Sequence, residues 1–121
     1  MAYDENNIFA KILRHEIACQ VIYEDEYTLS FADINPQAPV HVLVIPKGAY
    51  INWTDFAVRA SDQEISAFTK AISHVADLTG ISGTGYRVIS NIGLNGHQEV
   101  PHLHMHVLGG SSIGPLVSAK N

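Results

Sequence analysis

The sequence predicts an α+β domain, and three observations predict it. Five short stretches dense in β-branched and aromatic residues read as strands. One long amphipathic stretch opens on a helix-capping signature. The links between neighbouring strands are short, which favours antiparallel pairing over crossover connections.

Taken in order, the first element is a short helix. Ile8, Phe9, Ile12 and Leu13 recur at helical spacing around Lys11 and Arg14, and Asn6 or Asn7 can cap it. Residues 20–24 and 27–32 form a hairpin about Asp25-Glu26. Residues 40–45 make a third strand, bounded by Pro39 and Pro46, which have no N–H to donate to a ladder. Ser61 and Glu64 form a capping box, each able to bond the other's backbone N–H. Behind them Ile65, Phe68, Ile72 and Val75 keep helical spacing, so a helix is expected over 62–79, with Gly80 as its left-handed cap. Residues 86–90 read as a strand and 91–96 as a turn-rich loop. Residues 100–108 read as the last strand, ended by Gly109-Gly110.

The chain of 121 residues is read as one domain, 1–121, with 46% apolar and 16% charged residues. Seven basic against twelve acidic side chains leave a net charge of −5. A nucleic-acid polymer is therefore not an expected partner, whereas one phosphate held by local donors is compatible with that balance. Cys19 is the single cysteine, which rules out an internal disulfide and a CxxC metal clip and fits a reducing compartment. The polar, acidic opening carries no secretory signal, and no apolar run approaches the ~18 residues of a membrane span. A cytoplasmic protein with no membrane partner is expected.

Three of the seven histidines fall within five residues, as His102-Leu-His104-Met-His106. In a strand, alternate residues share a face, so the imidazoles point one way and Leu103, Met105 and Val107 the other. Three readings compete. A solvated row of imidazoles offers no gain to offset their repulsion on charging. A metal site is strained, because the outer two Cα atoms lie about 13 Å apart along a strand. It would use two of the three and borrow His41 or Glu99. Nucleophilic catalysis on phosphorus explains a shared face directly. One neutral imidazole attacks, and its neighbours orient it, hold oxygens and move a proton. The loop carrying Asn91, Gly93, Asn95 and Gly96 adds amide donors and close backbone approach.

Together these residues resemble the histidine triad (HIT) superfamily, whose signature is His-φ-His-φ-His-φ-φ with φ apolar. His102-Leu-His104-Met-His106-Val-Leu108 matches it at all seven positions. Ser30-Phe-Ala-Asp33-Ile34 and Pro36 through Lys47 are similar to the family's nucleotide-binding stretch. Asn91-x-Gly93 and Gln98-Glu-Val-x-His102 complete the set, and the Gly109-Gly110 ending points to the nucleotide-binding branch.

The resemblance implies a HIT-like fold with one long and one short helix. It also implies a homodimer whose two five-stranded sheets join into a ten-stranded one. The implied activity is metal-independent hydrolysis of purine nucleoside phosphoramidates through a nucleotidyl-histidine, with no cofactor. The alternatives are a dinucleoside polyphosphate hydrolase and a regulatory purine-nucleotide-binding module. Carried over by position, His104 is the nucleophile, His106 holds the phosphate, His102 orients the nucleophile and His41 is the fourth histidine. Asp33 would accept from ribose hydroxyls. Ile12, Phe31 and Ile34 would wall the base, although by themselves they read as ordinary core. Asn91 and Gln98 would bond the phosphate or ribose side. Many relatives have Gly and Ser where this chain has His97 and Glu99, so Glu99 belongs near the site with its role open.

Overall fold

The computed structural model describes residues 2–117. Three helices and five strands follow one another as α1 (Ile8–Leu13), β1 (Val21–Glu24), β2 (Thr28–Ala32), β3 (Val40–Pro46), α2 (Trp53–Arg59), α3 (Asp62–Leu78), β4 (Tyr86–Ile89) and β5 (Met105–Gly109). The strands form one sheet in the order β1-β2-β3-β5-β4. Every neighbouring pair is antiparallel, including β3 and β5, which α2, α3 and β4 separate in sequence. No helix among the described residues is long and apolar enough to cross a membrane.

Local chemistry sets the helix ends. Asn7 caps α1 by accepting from the Ala10 N–H at 2.9 Å. Ser61 and Glu64 close the expected capping box on α3. Gly80 ends α3 at φ +78°, a conformation that a side chain would strain.

The two faces of the sheet have different fates. On one, α3 lays Phe68, Ala71, Val75 and Ala76 over Val42, Val44, Leu103, Met105 and Val107, with Tyr50, Phe56 and Ile81 closing the edge. Each large side chain buried there contributes about 1.5–3 kcal/mol. On the other, α1 brings Phe9 and Ile12 against Leu29, Phe31, Leu43 and Ile45. Helix α1 has only 6 residues and covers only part of that face. The remainder is cut by a cleft, and His41, His104 and His106 line it.

The structure corrects two expectations. Helix α2 is additional to the one long and one short helix expected; Asn52 caps it by accepting from the Asp55 N–H at 2.9 Å. The last strand begins at Met105, not at residue 100. Pro101 has no N–H to give, the Leu103 N–H donates to the Tyr50 carbonyl at 2.8 Å, and the His104 carbonyl accepts from the Ser90 hydroxyl at 3.1 Å. The backbone through residue 104 is thus tied to loops and not to a ladder. Its side chains still alternate: Leu103, Met105 and Val107 face α3, while His102 and His104 meet Phe9 on the other side.

Candidate active site

A cleft of about 520 Å³ opens beside α1 on the half-covered face. Its apolar end is built by Phe9 and Ile12 of α1, Phe31 of β2 and Leu43 of β3. Its polar end carries His41, His104, His106, Asp33, Asn91 and Glu99. The apolar stripe of α1 and the inward positions of β2 and β3 make a slot with a dry wall. The two central strands deliver histidines to one end of it.

Hydrogen bonds fix how each ring is protonated. The Gln37 backbone N–H donates to His41 Nδ1 at 3.0 Å, so the proton of neutral His41 is on Nε2. His41 Nε2 lies 2.8 Å from His106 Nδ1 and donates to it. Neutral His106 therefore carries its proton on Nε2. His104 Nδ1 donates to the His102 carbonyl at 2.8 Å, which can only accept. Its Nε2 is left with a bare lone pair, without a protein hydrogen bond among the described residues. His102 Nε2 donates to the Pro46 carbonyl at 2.9 Å, and its Nδ1 receives the Tyr3 hydroxyl at 2.5 Å.

Burial keeps these rings neutral. It pulls His102 and His106 down to about 4, and for His106 the neighbouring His104 and His41 push the same way. His104 is also lowered by burial, against opposing pulls from the His102 carbonyl, Asp33 and Glu99. His41 is lowered by burial and partly restored by Asp33, whose Oδ2 lies 3.4 Å from His41 Nε2. The cleft thus presents one unprotonated ring nitrogen, on His104, beside one N–H donor, on His106. The two rings meet edge to face with centroids 5.1 Å apart.

The other expected residues divide. Ile12 and Phe31 are buried in the cleft wall. Ile34 lines the cleft but is 95% exposed, so it is a rim residue and not core. Asp33 spends Oδ1 on the Asn35 N–H and keeps Oδ2 toward His41. Asn91 and Glu99 also line the cleft, and Glu99 accepts from His97 Nε2 at 3.1 Å. His97 itself sits at φ +59°. Two residues stand outside the lining. His102 lies fully buried behind His104. Gln98 accepts from the Gly93 N–H and donates to the Ile51 and Val100 carbonyls, so its amide staples the loop instead of facing the cleft. Sequence reasoning missed Gln37, which acts through its backbone, and Tyr3. Neither leaves a motif, but Phe9, also missed as a wall residue, is visible in the α1 stripe.

For a metal, Asp33, His41 and His106 form a possible donor set, with ligand atoms within 4.8 Å of one another among the described residues. This differs from the expected pair of triad histidines. The fit is poor, because His41 Nε2 and His106 Nδ1 are 2.8 Å apart and share a proton. Two nitrogens bound tetrahedrally at 2.0–2.1 Å sit about 3.3 Å apart, and both must be deprotonated.

Comparison with known proteins gives a consistent answer. Residues 14–113 match the HIT domain model. The chain is 52% identical over 116 residues to a HIT-like protein of Azospirillum brasilense, covering 96% of this chain and 95% of that protein. It is 39% identical over 116 residues to the purine nucleoside phosphoramidase of Escherichia coli, covering 96% and 97%. Among solved structures, a HIT family hydrolase from Clostridium thermocellum superposes with a TM-score of 0.87 at 42% identity, covering 95% of this chain and 99% of that one.

Proposed function

The chain belongs to the HIT domain family, and from that membership and the geometry of the cleft we propose that it is a hydrolase of purine nucleoside phosphoramidates. The observation that carries the reading is the state of His104. Its Nδ1 proton is committed to the His102 carbonyl, leaving the Nε2 lone pair free in a cleft with an apolar wall.

In this reading the base lies against Ile12 and Phe31, with Ile34 at the rim, and Asp33 accepts from the ribose. His104 Nε2 attacks phosphorus in line. The N–P bond to the amine breaks as the Nε2–P bond forms, and the His102 carbonyl steadies the charge arising on the ring. His106 Nε2–H holds a phosphate oxygen and steadies its charge, while the departing amine takes its proton from solvent water. Water then attacks the nucleotidyl-His104, the Nε2–P bond breaks, the water's proton passes to solvent, and the nucleoside monophosphate is released with His104 neutral again. No step requires a metal ion. Asn91 lies toward the phosphate, and Gln98 contributes by holding the loop.

The lining favours an amidate over a dinucleoside polyphosphate. Asp33 and Glu99 line the cleft, and no Lys or Arg does so among the described residues. A single phosphate charge is tolerated there better than three or four. The relative of Escherichia coli is named for activity on purine nucleosides of this class. A homodimer also fits. β4 is an edge strand that leaves Tyr86 and Val88 39% and 41% exposed, and a second copy could cover them. The test is release of nucleotide from an adenosine phosphoramidate. Tight nucleotide binding with no turnover would instead support a binding module.

A further inference from the structure

We propose that Tyr3 is a positioning residue for the reaction, locking the ring whose backbone carbonyl aims the nucleophile; this rests on the phosphoramidase reading above. The segment before α1 crosses behind the cleft. There the Tyr3 hydroxyl donates to His102 Nδ1 at 2.5 Å, and the two rings meet edge to face at 5.6 Å. The direction of the bond is forced. His102 Nε2 faces the Pro46 carbonyl at 2.9 Å, which accepts only, so Nε2 holds the proton and Nδ1 accepts. His102 is wholly buried, and Tyr3 supplies the one donor that its Nδ1 meets among the described residues.

The same residue, His102, gives its carbonyl to His104 Nδ1 at 2.8 Å. Ring and carbonyl belong to one residue held at both ring nitrogens, by Tyr3 and by β3. Without the Tyr3 hydroxyl, Nδ1 becomes a buried acceptor with no donor. The ring then has reason to turn or to exchange its proton between nitrogens. Either change shifts the carbonyl and loosens the direction of His104 Nε2. Tyr3 does not line the cleft, so its effect falls on the attack and not on binding. Misplacing a nucleophile by a fraction of an ångström lowers the rate of the chemical step.

The experiment is Tyr3→Phe, which keeps the ring packing and removes one oxygen. Adenosine phosphoramidate turnover is measured alongside the ¹⁵N signals of the His102 ring. The expected result is kcat lowered about 3–10-fold with KM within about twofold. The His102 Nδ1 signal should move toward that of a free lone pair while Nε2 stays protonated. Tyr3→Leu, which also removes the ring, should lower thermal stability further without a matching further loss of kcat. An unchanged kcat in Tyr3→Phe, or an unmoved Nδ1 signal, overturns the proposal and leaves the phosphoramidase reading standing. Absence of turnover in the wild type overturns both.

Discussion

His41 and His106 are bonded ring to ring, Nε2 to Nδ1 at 2.8 Å, although they do not face each other in the ladder. His41 is opposite Leu108, and His106 is opposite Leu43. The pair is diagonal, a spacing that long or aromatic side chains can bridge. The bond sets the tautomer of His106 and so decides that its cleft-facing nitrogen is a donor.

Replacing His41 frees His106 to move its proton to Nδ1, which would turn an acceptor toward the phosphate. His41→Ala is expected to lower kcat about tenfold or more. His41→Gln, whose amide can donate in the same direction, should recover part of the loss. Steady-state kinetics of the two variants side by side check this; equal losses in both would argue against a tautomer-setting role.

Acid should act on activity and stability in related windows. Attack needs neutral His104, and burial lowers its pKa. The activity plateau should therefore extend below ~6.5, the ordinary imidazole value, before falling. Stability falls in the same direction. The unfolded chain takes up protons on its histidines near ~6.5, whereas folded His102 and His106 resist until about 4. Between those values only the unfolded state is protonated, so stability declines as pH drops, by on the order of a few kcal/mol. Urea midpoints and initial rates measured from pH 7.5 to 4 read both. Loss of half the activity already at ~6.5 would mean that His104 is not desolvated.

Glu99 adds to the negative charge that Asp33 gives the cleft lining, and it acts from the surface, with its side chain 77% exposed. Its effect should therefore be modest and sensitive to salt. Glu99→Lys is expected to narrow the preference for an adenosine phosphoramidate over a dinucleoside polyphosphate by about 3–10-fold at low ionic strength. Competition assays at two salt concentrations check it. A ratio independent of both substitution and salt would remove Glu99 from the account of specificity.

The Thr28 and Ser30 hydroxyls are buried on the α3 side of β2 and meet no hydrogen-bond partner among the described residues. An unpaired buried hydroxyl is costly, and valine has nearly the same shape as threonine. Thr28→Val should stabilise the fold by about 1 kcal/mol, read as a higher urea midpoint with unchanged slope. A lower midpoint would reveal a partner for that hydroxyl.

Much of this was legible in the residues. Ser61 and Glu64 announce α3, Gly80 its end, and the alternation around His104 places three imidazoles on one side of the chain. Other features depend on contacts distant in sequence. The start of β5 is set by Tyr50 and Ser90 capturing the backbone of Leu103 and His104, and no local pattern encodes that. The same holds for Tyr3, which meets His102 across 99 positions. The resemblance puts Gln98 on the phosphate or ribose side; its three backbone partners are what tie its amide to the loop. Helix α2 is short and leans on Phe56 for its buried contact, so its periodicity is weak.

The central claim is that His104 Nε2 is the nucleophile of a reaction needing no metal. The most direct measurement is nucleotide release from an adenosine phosphoramidate in the presence of EDTA, with wild type and His104→Ala compared at equal folded concentration. The account predicts turnover that survives EDTA in the wild type and vanishes in the variant. Turnover retained by His104→Ala, or abolished by EDTA and restored by a divalent ion, would contradict it.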